Sequence, residues 1–184
     1  MPSPLRFRTA SLEDVEAIVA LVESAYRGEA SRAGWTTEAD LLDGQRTDAA
    51  QVSSLITGEA SRIVLALHRR ELVGSMLLAT EPRYVYLGML SVRPTHQAIG
   101  VGRALLAEAE RIARDEALGT RLRMTVIGQR TELIAWYERR GYVRTGAREP
   151  FPYGDARFGL PRRDDLYFEV LEKQLPAGRR RVPR

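Results

Sequence analysis

One stretch decides the fold, residues 90–106, which reads LSVRPTHQAIGVGRALL. Its first residues, up to Val92, have the character of a strand, Pro94 ends that strand, and an amphipathic helix begins at the glycines. Gly100 and Gly102 leave backbone N–H groups uncovered at the helix start, where unpaired amides and the helix dipole favour an anion. The junction therefore predicts a phosphate site, with a plain glycine turn as the alternative.

Two known phosphate motifs do not fit this stretch. A dinucleotide fingerprint requires a third glycine three residues after Gly102, where Leu105 stands, and its acid about 20 residues further on is replaced by Leu122 and Arg123. A P-loop requires a lysine before Ser or Thr, and Lys173 is the only lysine of the chain. The predicted anion is therefore bound in another way.

The remaining hydrophobic pattern predicts helices interspersed with short strands. Helices are expected at 11–26, from Thr37 through Leu42, at 48–56, at about 102–118 and at 131–140. Strands are expected at 4–8, 62–68, 72–79 with a possible bulge at Gly74, 84–92, 122–127, 142–144 and 165–171. A loop over residues 149–163 separates the last two strands. This order predicts a mixed α/β domain whose three central strands form an antiparallel meander.

The composition excludes several classes of protein. The 184 residues include no cysteine, which excludes disulfides, thiol nucleophiles and thiolate metal sites. His68 and His96 lie far apart in sequence, so no metal site is expected. No apolar run approaches the ~18 residues of a membrane span, and the first residues lack the order of a secretion signal. A cytoplasmic protein without membrane contact is therefore expected.

The positive charge of the chain is concentrated at its end. The net charge is +4, and residues 178–184 contain four arginines and no acid, so the rest of the chain is neutral. No basic face for nucleic acid is expected on the body, which leaves binding through the tail as the alternative. We expect one domain over residues 1–175 and a basic disordered tail over 176–184.

The chain resembles a known family in two motifs. The pattern VxPxxQxxGxGRxLL over residues 92–106 resembles the pyrophosphate loop of the GNAT superfamily of acyl-CoA-dependent N-acyltransferases. The segment AWYERRGY, residues 135–142, resembles the late helix of that family. The resemblance extends from about Leu5 to Leu171. It implies a GNAT-like fold with a mostly antiparallel, mixed sheet of six to seven strands, flanked by helices and splayed in the middle.

The resemblance also implies which residues bind acetyl-CoA, the expected co-substrate. In the family the pantetheine arm pairs with the strand before the loop, and a bulge, here expected at Gly88-Met89, helps to open a slot for the thioester. Arg130 replaces a family asparagine and either contacts a phosphate or is solvated. The implied cofactor-binding residues are Leu90, Ser91, Val92, Gln97, Ala98, Ile99, Gly100, Val101, Gly102, Arg103, Ala104 and Arg130.

Tyr137 takes the position of the family's general acid. A phenol with a pKa of about 10 is protonated at neutral pH and can donate a proton to a departing thiolate. A backbone N–H of Met89 or Leu90 could stabilise the oxyanion that forms when a neutral amine attacks the thioester. The alternative is that Tyr137 is a core aromatic on the face that carries Leu133 and Ile134. The implied reaction is direct transfer of an acetyl group to a primary amine in a ternary complex.

We expect the acceptor amine to belong to a small molecule or a peptide. Relatives that act on protein N-termini often have an acid where Thr125 stands, so the general base is unassigned. This gap leaves open a catalytically idle module that binds or senses acyl-CoA. The acceptor is expected near Trp35, Glu38, Asp40 and Tyr153, with Asp155 as a further candidate, because aromatics beside acids suit a cationic amine; the alternative is that these residues are structural. A homodimer is possible by analogy with the family.

Overall fold

The computed structural model describes residues 4–116 and 118–176. Its helices are α1 (Val15–Tyr26), α2 (Gly28–Arg32), α3 (Ala49–Thr57), α4 (Val101–Asp115) and α5 (Thr131–Glu138). Its strands are β1 (Arg6–Thr9), β2 (Leu42–Asp43), β3 (Ser61–His68), β4 (Glu71–Thr80), β5 (Val85–Val92), β6 (Arg121–Ile127), β7 (Val143–Pro150), β8 (Leu160–Pro161) and β9 (Tyr167–Gln174). Short 3₁₀ helices cover Leu12–Asp14, Pro94–Ile99 and Ala156–Phe158.

Seven strands form one sheet in the order β1-β3-β4-β5-β6-β9-β7, and β2 pairs with β8 separately. All neighbours in the large sheet are antiparallel except β5 and β6, which are parallel. The predicted meander is therefore present as β3, β4 and β5. A mostly antiparallel, mixed sheet with flanking helices confirms the predicted fold class.

The sheet opens between its two parallel strands. β5 and β6 pair only at their first residues, Val85 with Leu122 and Tyr86 with Arg123. Further along β5, Met89 has a left-handed backbone with φ +45°, and the register with β4 shifts there. A β-branched or bulky residue rarely adopts this conformation, and a bulge bends the strand that contains it. The splay and the bulge near Gly88-Met89 lie where they were predicted.

Helices cover both faces of the sheet. On one face α4 buries Leu105, Ala109 and Ile112 against the central strands. On the other face α1 buries Ile18 and Val22. The apolar three-to-four spacing of each helix supplies its buried side, and this packing fixes both helices relative to β5.

One local prediction was wrong, and one strand was predicted too short. No helix starts at Thr37: residues 35–41 form turns and bends, and Leu42 lies in β2. Glu38 is buried there between two arginines, so ion pairing rather than helix propensity determines the backbone. The strand expected at 142–144 continues to Pro150, because Gly146 with φ +83° forms a bulge and not an end.

The expected tail over residues 176–184 lies almost wholly outside the described residues. Residues 177–184 are not described, so the structure does not test the tail. No described helix is long and apolar enough to cross a membrane.

Candidate active site

Two cavities of about 440 Å³ each meet at the splay of the sheet. The first, which we call the helix-side cavity, lies at the start of α4. The second, the strand-side cavity, lies between β5, β6 and the loop before β8. Five residues line both: Tyr26, Leu90, Arg130, Leu133 and Tyr137. These five residues are therefore within reach of a molecule in either cavity.

The start of α4 points unpaired amides at the helix-side cavity. Gly100 is its N-cap in the left-handed region, with φ +92°, a conformation that glycine adopts without strain. The first N–H bonded within the helix is that of Ala104, which donates to the Gly100 carbonyl over 3.0 Å. The amides of residues 100–103 therefore have no acceptor in the helix and can bind an anion.

The loop before α4 differs from the expectation in two details. The amide of Ala104 was predicted to bind phosphate, but its bond within the helix occupies it. Residues 97–99, which include Gln97, Ala98 and Ile99, form the end of a 3₁₀ helix. The Gln97 side chain accepts a hydrogen bond from the Trp35 amide at 2.9 Å and donates to the Val92 carbonyl at 3.3 Å. It therefore joins the segment after α2 to the end of β5.

The charged lining of the helix-side cavity is entirely positive. It includes Arg103, Arg130 and Arg140 and, among the described residues, no carboxylate. The Arg140 guanidinium lies 3.6 Å from the centre of the Trp136 ring, and its buried Nε has no partner in the described part of the chain. Burial lowers the pKa of Arg140, and the charges of Arg139 and Arg103 lower it further. An anion bound here would relieve that repulsion.

The end of β5 forms the wall between the cavities. The Tyr26 hydroxyl donates to the Leu90 carbonyl over 2.8 Å, and the buried Ser91 hydroxyl donates to the Met89 carbonyl over 3.0 Å. These bonds fix the strand beyond its bulge. Leu90 and Val92 line the helix-side cavity, whereas Ser91 is fully buried.

Tyr137 stands at the junction of the two cavities. Its side chain is 5% exposed, and its hydroxyl has no hydrogen-bond partner among the described residues. Burial raises the pKa of Tyr137 well above its usual value, and the neighbouring Tyr26 raises it further, against a smaller opposing effect of Arg130. The phenol is therefore a proton donor at neutral pH.

A buried ion cluster forms one side of the strand-side cavity. Glu38, 6% exposed, accepts hydrogen bonds from Arg27 at 2.5 Å and from Arg130 at 2.8 Å, one on each carboxylate oxygen. Burial alone would raise the pKa of Glu38, but the charges of Arg130, Arg46 and Arg27 outweigh it and lower the pKa. Glu38 is thus an ionised carboxylate that two arginines already hold.

Arg130 joins the two cavities. It donates to Glu38 and, over 2.7 Å, to the Thr36 hydroxyl, and its guanidinium lies 5.7 Å from the Tyr26 ring. Its side chain is only 9% exposed, so the alternative that Arg130 is solvated does not hold. It lies in the lining of both cavities as part of a buried bridge.

The remaining predicted acceptor residues are scattered. Trp35 lines the helix-side cavity, 6.1 Å from the ring of Trp136. Asp40 is 68% exposed and pairs with Arg32 outside both linings. The Tyr153 hydroxyl accepts from the Leu166 amide and donates to a loop carbonyl, outside both linings as well. Asp155 caps a 3₁₀ helix. Among all the predicted acceptor residues, including Glu38, only Glu38 lines the strand-side cavity.

Several lining residues were missed by sequence analysis. Tyr26 was only the last residue of the helix predicted over 11–26, and no role was given to Trp136 or Arg140, although they flank Tyr137 in the second motif. Tyr86, whose hydroxyl lies 3.1 Å from that of Thr125, and Arg46 carry no local motif at all. The described residues contain no group of three side chains placed to hold a metal ion.

The comparisons with known proteins agree with this geometry. The sequence model described as the acetyltransferase (GNAT) family matches residues 17–142. The chain belongs to this family. The GNAT resemblance of the two motifs is thereby confirmed, and this GNAT chain is an acetyltransferase. No curated protein matches it by sequence.

Solved structures share the fold of this GNAT protein at low identity. A ribosomal-protein alanine N-acetyltransferase from Escherichia coli is 13% identical, with a TM-score of 0.70 over 98% of this chain and 100% of its own. A spermidine N-acetyltransferase chimera from Vibrio cholerae and hSSAT is 16% identical, with a TM-score of 0.66 over 94% and 96%. The Paia N-acetyltransferase from Thermoplasma acidophilum, in complex with coenzyme A, is 16% identical, with a TM-score of 0.62 over 93% and 99%.

Proposed function

We propose that this GNAT protein transfers the acetyl group of acetyl-CoA to a primary amine by direct attack, with both substrates bound together. One observation carries the proposal: the Tyr137 phenol lies where two cavities meet, with no hydrogen-bond partner among the described residues. One cavity suits an anionic cofactor, and the other is open to a second molecule. A ternary complex requires such a junction because the amine and the thioester must come into contact.

The helix-side cavity fits the diphosphate of coenzyme A. The amides of residues 100–103 and the positive end of α4 would bind the phosphates. Arg103 and Arg140 would add charge-assisted hydrogen bonds, which the buried, unpartnered Nε of Arg140 favours. The pantetheine arm would then run along Leu90 and Val92 toward the splay. The Thermoplasma acidophilum acetyltransferase, whose structure contains coenzyme A, supports the same cofactor.

The acceptor amine would enter the strand-side cavity and meet the thioester at Leu90. The bulge at Met89 turns the backbone there, so the N–H of Met89 or Leu90 could stabilise negative charge on the thioester oxygen. The Escherichia coli and Vibrio cholerae enzymes are named for amine acceptors, a ribosomal-protein alanine and spermidine. From these two enzymes we infer only that the reacting group of the acceptor is an amine.

Tyr137 would protonate the departing thiolate as the carbon–sulfur bond breaks, and its phenolate would recover, through solvent, the proton that the attacking nitrogen loses when the amide forms. Its raised pKa keeps the proton on the phenol until sulfur develops charge. The attacking amine must be neutral, and the carboxylates that line the strand-side cavity, Glu38 and Glu149, are already paired with arginines. The described residues of the lining thus offer no unpaired carboxylate as a base, and we propose that the amine loses its proton to water before it attacks.

A screen of primary amines with acetyl-CoA tests the proposal. Release of free coenzyme A thiol is followed for each amine, and mass spectrometry identifies the N-acetylated product. We expect amine-dependent thiol release that Tyr137→Phe reduces. Tight binding of coenzyme A with no amine-dependent release across the screen would instead support the idle binding module.

A further inference from the structure

We infer that the acceptor amine also carries an oxyanion, in the simplest case a carboxylate, and that Arg46 binds this group in the strand-side cavity. The inference rests on the proposed function, because it names the substrate class of that reaction. It starts from the charges that line the strand-side cavity.

Those charges do not balance. The lining contains three arginines, Arg46, Arg123 and Arg130, and two carboxylates, Glu38 and Glu149. Arg130 pairs with Glu38 at 2.8 Å, and Arg123 pairs with Glu149 at 2.9 Å. Pairing within the lining therefore leaves one positive charge over.

Arg46 is the arginine that remains. In the part of the chain that the structure describes, its guanidinium makes no ion pair and no hydrogen bond, and it lies 5.2 Å from the centre of the Tyr26 ring. Its charge acts on Glu38, but that carboxylate already holds Arg27 and Arg130. A half-buried guanidinium without a partner is suited to a bidentate oxyanion from outside the chain.

The backbone around Arg46 is held in place. The Glu23 carboxylate accepts the N–H groups of Arg46 and Thr47 at 2.6 and 2.9 Å, so a loop without regular structure is tied to α1. Tyr26, under the guanidinium, is itself hydrogen-bonded to the Leu90 carbonyl. The backbone of Arg46 is thus held in place, and its guanidinium lies one aromatic ring away from the strand end where the thioester is proposed to lie.

A purely cationic acceptor suits this cavity poorly. The ammonium group would meet an excess of positive charge, and the carboxylate it could approach is shared by two arginines. An acceptor with its own oxyanion neutralises Arg46 and leaves its amine free to reach Leu90. The chemistry that fits is therefore that of an amino acid or a related amine with a carboxylate or phosphonate.

Matched pairs of substrates test the inference. Each amino acid is compared with the amine that lacks its carboxylate: L-leucine with isoamylamine, L-phenylalanine with phenethylamine, β-alanine with ethylamine, and likewise for the other standard amino acids. We expect a kcat/KM about tenfold or more higher for the acid-bearing member of the best pair. Aminoethylphosphonate against β-alanine distinguishes a phosphonate from a carboxylate.

The variant Arg46→Gln should remove this preference by raising KM for the acid-bearing amine about tenfold or more. The plain amine, which then meets no excess of positive charge, should be turned over at least as well as by the unmodified protein. Arg46→Lys should restore part of the preference, and Arg6→Gln, on the exposed face of β1, should leave it intact. Equal or better turnover of the plain amines by the unmodified protein, or an unchanged preference in Arg46→Gln, overturns the inference while acetyl transfer stands.

A binding measurement separates the two hypotheses if no amine is acetylated. N-acetyl-L-phenylalanine is titrated into the full chain loaded with coenzyme A. Binding that Arg46→Gln weakens about tenfold or more would retain the oxyanion site while the proposed reaction fails. No binding to the unmodified protein would overturn both.

Discussion

The two cavities differ in how the chain builds them. The helix-side cavity is made largely from two continuous segments, residues 97–103 and 133–140. The strand-side cavity draws its charged side chains from four separate parts of the chain, at Glu38, Arg46, residues 123–130 and Glu149. The first is built from backbone amides and arginines, the second from paired side chains. Backbone recognition of an anion is therefore local in sequence, whereas recognition of the acceptor depends on how distant segments pack.

The largest expected effect is on the helix-side cavity. Glutamate at Gly100 or Gly102 places a carboxylate and its bulk where the phosphates would lie, so we expect Gly100→Glu and Gly102→Glu to abolish binding of coenzyme A. The measurement is the rise in melting temperature that the cofactor produces in the unmodified protein. Gly154→Glu is the control, because Gly154 has a similar left-handed backbone, with φ +87° and open space around it. Unchanged cofactor stabilisation in the Gly100 or Gly102 variant would contradict the site.

The second effect concerns the ion cluster of the strand-side cavity. Glu38→Gln keeps the shape but leaves Arg27 and Arg130 buried without a counter-charge, so we expect the free energy of unfolding to fall by about 3 kcal/mol. Denaturant titration measures it, with the exposed Glu29→Gln as a control that changes little. Because the folded-state pKa of Glu38 is lowered, its stabilising effect is present above the unfolded pKa and is lost as pH falls. Equal stability of the Glu38 variant and the unmodified protein would show that the cluster contributes nothing.

A smaller effect should confirm the charge of the helix-side cavity. Arg140→Gln removes one guanidinium from a lining without carboxylates, and we expect the Kd for coenzyme A to rise about tenfold. Calorimetric titration at two salt concentrations should also show a weaker salt dependence, which Arg6→Gln leaves unchanged. A Kd equal to that of the unmodified protein would remove Arg140 from the phosphate site.

The smallest expected effect is at alkaline pH. A raised pKa keeps the Tyr137 phenol protonated above its ordinary range, so kcat at saturating amine should not fall between about pH 8 and about pH 10.5. Rates are compared only where circular dichroism shows the protein folded. A decline in kcat with an apparent pKa near 10 would mean that the pKa of the donating phenol is not raised.

The sequence predicted the helix-side cavity better than the strand-side cavity. The stretch over residues 90–106 predicted the end of β5 and the start of α4, because spacing, glycine and helix polarity all act locally; the anion site at this junction stays a prediction. The bulge at Met89 and the splay came from the family resemblance. The backbone around Glu38 was mispredicted as a helix, because its determinant is an ion pair with Arg130, 92 residues away.

The strand-side cavity could not be predicted in the same way. Arg46 lies in a loop without a motif, and its significance arises only when α1 brings Tyr26 beneath it. Asp40 was chosen for its neighbours in sequence and lies on the surface with Arg32. A single domain over residues 1–175, the cytoplasmic location and the homodimer stay predictions.

The most direct test of the central claim is the kinetics of Tyr137→Phe, measured with the amine that the screen identifies. Loss of the phenolic proton alone should lower kcat about a hundredfold or more, while the Kd for coenzyme A and the melting temperature stay close to those of the unmodified protein. Equal kcat values for the two proteins would contradict the account, because the group at the junction of the cavities would then play no part in the transfer.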